Sequence, residues 1–263
     1  MADEAKAIFI TGGASGIGRA VALHFARRGW RIGVADIDAA GIEATRALLP
    51  AGMSSAHVMD VRDRDRWRTE LAAFVSTSGG RLDVLFNNAG IAVGGEFADT
   101  PLDDLDRLIA INLTGVVNGA HIGFSYLKAT PGGGCLLNTA SAAGIYGTGG
   151  AAAYSATKFA VRGLTEALDA EWAKTGVRVR SIMPSFIDTP LLDAGVTGSN
   201  ENVRERVRAA GLEFTPLDQV AELAWQAVHG DAVHTVIGKT ARRMKFAARW
   251  MPGALRKQAR GGL

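Results

Sequence analysis

Apolar residues along this chain gather in short runs, each followed by a turn and then by a longer stretch of helical period. Residues 7–10 are the first run. They lead through a glycine-rich turn at 11–18 into a helical pattern carried by Val21, Leu23, Phe25 and Ala26, which Gly29 ends. Residues 31–35 read as a second buried strand closing at Asp36. A helix over 39–49, a strand over 56–61, a helix over 63–76 and a strand over 82–86 follow, the last running into Asn87-Asn-Ala-Gly90. One long apolar helix is predicted over 101–126. After it come a fifth strand at 134–140, a helix at 151–174 and a sixth strand at 177–183. Residues 191–215 are polar and dotted with glycine, with a weak helix over 202–210, and read as a mobile lid spanning about 190–215. A helix at 217–229 and a seventh strand at 235–238 complete the pattern.

Strands that alternate with helices imply a Rossmann-type α/β fold, a doubly wound parallel sheet of about seven strands with helices on both faces. No break divides the chain, so residues 1–263 read as one domain carrying the lid and a basic arm over about 239–263. At 48% hydrophobic and 21% charged, the composition permits a large core. The single cysteine, Cys135, excludes an internal disulfide framework and suits a reducing compartment, the cytoplasm. No Cys/His grouping has zinc spacing, so no metal is expected. Residues 1–6 are short, polar and acid-bearing, unlike a signal peptide, and no run reaches the ~18 uninterrupted apolar residues of a membrane span.

The net charge of +3 hides an asymmetry. Residues 232–263 hold eight basic residues and no acid, which leaves 21 basic against 26 acidic residues elsewhere. In the arm, Met244, Phe246, Ala247, Trp250, Met251 and Leu255 interleave with Lys245, Arg249, Arg256 and Lys257, and Pro252-Gly253 interrupts the segment. Packing on its own or a neighbouring subunit is the first reading of this arm. Peripheral contact with an anionic membrane is the second. Nucleic acid comes last, because stacking aromatics are few.

The turn at 11–18 carries chemistry because of where it sits. In a strand–turn–helix–strand context, Gly12 permits the tight turn, Gly16 lets backbone approach a pyrophosphate and Gly18 lets helix and strand pack closely, with Ser15 and Ile17 between them. The helix that follows turns free N–H groups toward the phosphates. Asp36 stands where a carboxylate holds the adenosine ribose hydroxyls. Its charge repels a 2′-phosphate, and Ile37 and Asp38 supply no arginine in compensation, so NAD is expected over NADP. Asp60 and Val61 fall near the adenine. Asn88, Ala89 and Gly90 allow close approach to the cofactor, although an ordinary Asn/Gly turn has the same composition. Asn112, inside an apolar helix, needs a hydrogen-bond partner.

Ser141 stands at the carboxyl end of the fifth strand, where ligands bind in open α/β sheets. Tyr154 and Lys158, four apart, share one helix face. A lysine beside a phenol is expected to lower its pKa from about 10, making a general acid/base for an alcohol or carbonyl oxygen that Ser141 holds. Tyr-x3-Lys alone is common on solvated helix faces, and only its company gives it weight.

Together Thr11-Gly-x3-Gly-x-Gly18, Asp60, Asn87-Asn-Ala-Gly90, Asn112, Ser141, Tyr154-x3-Lys158 and Pro184 resemble the short-chain dehydrogenase/reductase family over residues 7–238. The resemblance implies Tyr154 as general acid/base and Lys158 as the group that tunes it and holds the nicotinamide ribose. It implies that Ser141 orients the substrate oxygen, that Asn112 anchors a water behind Lys158, and that Ile187 and Thr189 contact the carboxamide. The family's Pro-Gly after the sixth strand is Pro184-Ser185 here, which reshapes the turn over the nicotinamide. The resemblance further implies a homodimer or homotetramer pairing through the helices at 101–126 and 151–174.

The expected substrate pocket is apolar, drawn from Ile91, Ala92, Val93, Ala143, Ile145, Tyr146, Phe186, Leu191 and Leu192 without an arginine clamp, and suits a hydrophobic secondary alcohol or ketone. NAD preference leans toward alcohol oxidation. Two rivals remain at this stage: an NADP-dependent carbonyl reductase, and a dinucleotide-binding sensor or scaffold without turnover.

Overall fold

The computed structural model describes residues 5–193, 195–197 and 202–260. β1 (Ala7–Thr11), α1 (Gly16–Ala26), β2 (Arg31–Asp36), α2 (Ala39–Arg46), β3 (Ser54–Val58), α3 (Arg64–Thr77) and β4 (Val84–Asn87) form the first half. A two-residue strand β5 (Gly94–Gly95) precedes α4 (Leu102–Ile109), a π-helical turn (Ala110–Thr114) and α5 (Gly115–Ala129). The second half runs β6 (Cys135–Thr139), α6 (Ala152–Trp172), β7 (Arg178–Pro184), β8 (Val196–Thr197), α7 (Val203–Ala209), α8 (Leu217–His229), β9 (His234–Ile237), α9 (Lys239–Trp250) and α10 (Pro252–Ala259).

Seven strands form one parallel sheet in the order β3-β2-β1-β4-β6-β7-β9, and β5 pairs with β8 apart from it. The chain builds outward from β1 to β3, returns to β4 and builds the other way, so a crevice opens between the carboxyl ends of β1 and β4. This is a Rossmann-type α/β fold.

Side chains alternate along each buried strand and so supply two cores. Ile8, Ile10, Val84, Phe86, Cys135 and Leu137 meet Val21 and Phe25 of α1 and Val220 and Ala224 of α8 on one face. Ala7, Phe9, Leu85 and Leu136 meet Trp67, Leu71 and Phe74 of α3 and Ala120 and Leu127 of α5 on the other.

Three elements depart from the sequence pattern. The third strand ends at Val58, so Asp60 and Val61 lie in the turn beyond it. The long helix is continuous from Leu102 to Ala129 but carries the π turn, which is where Asn112 finds its partner: its Nδ2 donates to the Ile91 carbonyl (2.9 Å) and its Oδ1 accepts from the Ile91 N–H (2.8 Å). By length and hydropathy this helix also passes as a membrane span. Here it packs on the sheet, and its buried Asn112 and Asn118 are bonded to backbone carbonyls. The lid region contains a 3-10 turn (Pro190–Asp193), β8 and α7, while residues 194 and 198–201 lie outside the described residues.

The arm folds back as two helices, with Pro252 opening the second and Ala241 and Leu255 buried against the body. Packing at Gly18 leaves no room for a side chain. A Cβ there would overlap the Gly12 carbonyl oxygen and come within 2.9 Å of Asn88 Nδ2. Gly18→Ala is expected to cost about 1–3 kcal/mol of stability through overpacking, read as a lower urea midpoint at unchanged slope.

Candidate active site

The crevice is a cleft of about 900 Å³, at the large end of the roughly 300–1,000 Å³ usual for ligand sites. Its floor is stitched by one hydroxyl. Thr11 Oγ1 accepts the N–H of Asn88 (3.0 Å) and of Ala89 (3.1 Å), while Asn88 Nδ2 donates to the Thr11 carbonyl (3.0 Å). The ends of β1 and β4 are thereby locked side by side. Gly12 and Gly16 take φ of 68° and 51°, which favours glycine, and a Cβ on Gly16 would stand 3.0 Å from Thr189 Cγ2 across the cleft. Ser15 caps α1 without a side-chain bond, leaving the helix's first N–H groups facing the cleft.

At the far end, Asp36 Oδ2 accepts the Ala14 N–H (3.1 Å) and Oδ1 the Asp38 N–H (3.1 Å), fixing the carboxylate beside the glycine turn. Arg19, one residue past Gly18, is committed to Thr45 Oγ1 (2.9 Å) and the Ala14 carbonyl. Asp60 is gripped by Arg62, whose guanidinium holds the carboxyl below its usual range.

The reactive end is built by β6 and α6. Ser141 follows β6 directly, and its Oγ accepts the Ala143 N–H at 3.2 Å. Tyr154 stands beside Ser141, and both line the cleft. Lys158 lies one turn on, 4% exposed, with Nζ 5.5 Å from the Tyr154 ring centroid and donating to the Thr139 carbonyl at 2.9 Å. Burial pushes the Lys158 ammonium down to about 8. Burial also raises the Tyr154 phenol above its ordinary value, with the Ser141 hydrogen bond opposing. This corrects the expectation of an acidified phenol. Desolvation of the phenolate by the surrounding protein outweighs a lysine that sits over the ring rather than at the hydroxyl.

Most of the residues singled out from sequence meet in this one cleft. Gly12, Ser15, Gly16, Ile17, Asp36, Ile37, Asp60, Val61, Asn88, Ala89, Gly90, Ser141, Tyr154, Lys158, Pro184, Ile187, Thr189, Leu191 and Leu192 all line it. Gly18 and Asn112 lie behind the lining. A Cβ on Gly90 would stand 3.2 Å from Asn112 Oδ1 and 3.7 Å from Lys158 Nζ, so Asn112 supports the loop that faces the lysine.

Five expected substrate residues fall outside the lining: Val93, Ala143, Ile145, Tyr146 and Phe186. The 3-10 turn Ala142–Gly144 carries the chain away from Ser141. Tyr146 consequently lines a separate cavity of about 240 Å³ with Leu212, Met244, Ala247 and Leu255. Phe186 instead offers its carbonyl to the Thr215 N–H at 2.9 Å.

Arg62, Arg107, Ile111 and Ser185 line the cleft without having been expected. Ser185 stands where the family pattern has glycine and packs its Oγ, which has no partner among the described residues, against Gly238. Arg204 of α7 was also unforeseen. It reaches Asp193 (2.8 Å), the Thr189 carbonyl (2.8 Å) and Asp188, clasping the lid helix to the cleft wall. Only the acids at 188 and 193 hinted at a cation there.

The family profile described as short chain dehydrogenase matches residues 6–199. Meso-2,3-butanediol dehydrogenase of Serratia marcescens is 34% identical over 230 residues, 86% of this chain and 89% of that protein. Among solved structures, levodione reductase superposes with a TM-score of 0.82 at 27% identity, covering 91% of this chain and 97% of its own. A short-chain dehydrogenase/reductase from Burkholderia phymatum in complex with NAD superposes at 0.84 with 25% identity, covering 97% and 95%. The chain belongs to the short-chain dehydrogenase/reductase family, and it is an oxidoreductase of that family.

Lys158 carries a stability cost that can be measured. Its folded pKa of about 8 lies below the unfolded 10.5, so at pH below 8 the full penalty of burying the ammonium applies, about 3 kcal/mol. As pH rises from 8 toward 10.5 the unfolded state binds more protons and the penalty fades. Lys158→Met is therefore expected to melt above the parent protein at pH 7, with that advantage shrinking as pH approaches 10.5, in calorimetric scans across the range.

Proposed function

We propose that the protein is an NAD(H)-dependent oxidoreductase interconverting a hydrophobic secondary alcohol and its ketone. The observation that carries this reading is the Ser141–Tyr154–Lys158 cluster in the same cleft as the glycine turn. The lining fits a dinucleotide: uncapped N–H groups at α1, glycines too close-packed for a Cβ, and a fixed carboxylate at the opposite end. Gly12, Ser15, Gly16 and Ile17 would hold the diphosphate, Asp36 and Ile37 the adenosine ribose, Asp60 and Val61 the adenine. Asn88, Ala89, Gly90, Pro184, Ile187, Thr189, Tyr154 and Lys158 would hold the nicotinamide end. When bound, the nicotinamide supplies the hydride acceptor or donor.

The chain's own groups handle the proton. Ser141 holds the substrate oxygen beside the Tyr154 hydroxyl. In reduction Tyr154 gives its proton to the forming alkoxide, and in oxidation it takes the alcohol proton. Lys158 donates to the Thr139 carbonyl and presents positive charge to the ring, and Asn112 braces the loop it faces. With the phenol raised by burial, the protonated form predominates at neutral pH, which serves reduction directly.

Support for NAD comes from Asp36, whose charge opposes a 2′-phosphate, and from Arg19, whose guanidinium is already engaged. Arg62 is the observation favouring NADP, yet its Nε and Nη2 already donate to Asp60. Ile91, Ala92, Pro190, Leu191 and Leu192 give the substrate end apolar walls. Relatives named for a diol and a diketone are consistent with a neutral alcohol or ketone. A homodimer or homotetramer is part of the reading, because Ile109, Val117 and Phe159 leave apolar surface exposed on α4, α5 and α6.

Tyr154→Phe is expected to lower turnover about 10²–10⁴-fold while calorimetry still registers NAD uptake. Undiminished turnover, or no uptake of either dinucleotide by the parent protein, would sink the proposal. Asp36→Ala is expected to raise kcat/KM for NADP relative to NAD in paired assays. Oxidation rates should climb with pH toward and past about 10 as the small deprotonated fraction of the raised phenol grows, while reduction rates should stay level until pH passes about 10 and fall only beyond it.

A further inference from the structure

The C-terminal arm has two faces, and the fold uses only one. On α9, Ala241 is buried and Met244, Ala247 and Ala248 are half-buried against the body, while Leu255 anchors α10. Phe246 and Trp250, four residues apart and so on one helix face, point the other way; they are 58% and 68% exposed. Met251, just past the end of the helix, is 52% exposed. Arg242, Lys245 and Arg249 flank that face on one side and Arg243 on the other, with Arg256, Lys257 and Arg260 following on α10. No acid occurs from 232 to the end of the chain. Of the arm's eight cations, only Lys239 reaches a carboxylate among the described residues, Glu213 at 3.6 Å. The Arg249 guanidinium lies 5.6 Å over the Trp250 ring.

We propose that this outer face docks on an anionic lipid bilayer. Exposed aromatic and thioether side chains in a ring of unneutralised cations are the pattern of a helix lying in the interface plane. The rings seat at headgroup depth and the guanidiniums meet lipid phosphates. A second copy of the chain fits poorly, because a two-fold contact sets this basic face against itself with no acid to neutralise it. The proposal is independent of the substrate and cofactor reading, since none of these residues lines the large cleft.

The test uses the full chain with vesicles of phosphatidylcholine alone, or with about 30% phosphatidylglycerol, at low and at about 0.5 M salt. Expected are at least about tenfold stronger co-sedimentation with anionic vesicles, loss of that preference in high salt, and quenching of Trp250 fluorescence by brominated lipid that disappears in Trp250→Phe. The pair Phe246→Ser/Trp250→Ser should weaken binding about tenfold with an unchanged melting temperature, since both side chains are exposed. No binding to anionic vesicles at low salt overturns the proposal, as does binding without Trp250 quenching. Equal retention by duplex DNA would assign the face to nucleic acid instead. A drop in oligomeric mass in the serine pair, with vesicle binding intact, would make it a subunit contact.

Discussion

The arrangement of the reactive end depends on one buried cation. Lys158 reaches its place only because α6 passes close beneath β6, and the Thr139 carbonyl at the strand's end receives the ammonium. Two glycines make room. A Cβ on Gly144 would lie 2.7 Å from the Lys158 carbonyl, and one on Gly90 would crowd Asn112 at 3.2 Å. With the lysine seated, Tyr154 follows one turn earlier on the same face and Ser141 follows one residue beyond Ala140. A buried lysine works against the fold, and the two apolar cores flanking the sheet offset it.

The same economy governs the opposite wall. Thr11 holds Asn88 and Ala89, the Asn88 amide holds the glycine turn, and Thr139 Oγ1 donates to Asn88 Oδ1 at 3.2 Å. The carboxyl ends of β1, β4 and β6 therefore form one hydrogen-bonded rim, and nearly everything that faces the cleft hangs from it. This ties the glycine turn to the Tyr154 side of the sheet through backbone and short side chains alone, with little rotamer freedom to lose.

Much of this was readable from local pattern. The strands declare themselves by apolar runs ended by Gly, Asn or Asp, and the glycine turn by its spacing. Tyr154 and Lys158 are paired by helical period. What stayed hidden depends on partners distant in sequence. Asn112 plainly needed a partner, but Ile91 is 21 positions away and reached only through a π turn. Tyr146 was expected in the cleft, and the 3-10 turn after Ser141 sends it behind the wall instead. Arg204 lies in a polar stretch where nothing local marks it as a clasp. The direction of the Tyr154 shift was misjudged because burial competes with charge, and burial is a property of the assembled fold.

The π turn at Ala110–Thr114 winds one surplus residue into an otherwise regular helix. Leu108 before it and Val116 after it both sit in the core, so the flanking segments are already in register with each other. A chain shortened by one residue within that turn would regain an unbroken i to i−4 ladder with both leucine and valine still seated. It would also swing position 112 away from Ile91. The helix thus keeps an insertion that costs it regularity, and what the insertion secures is the loop over the lysine.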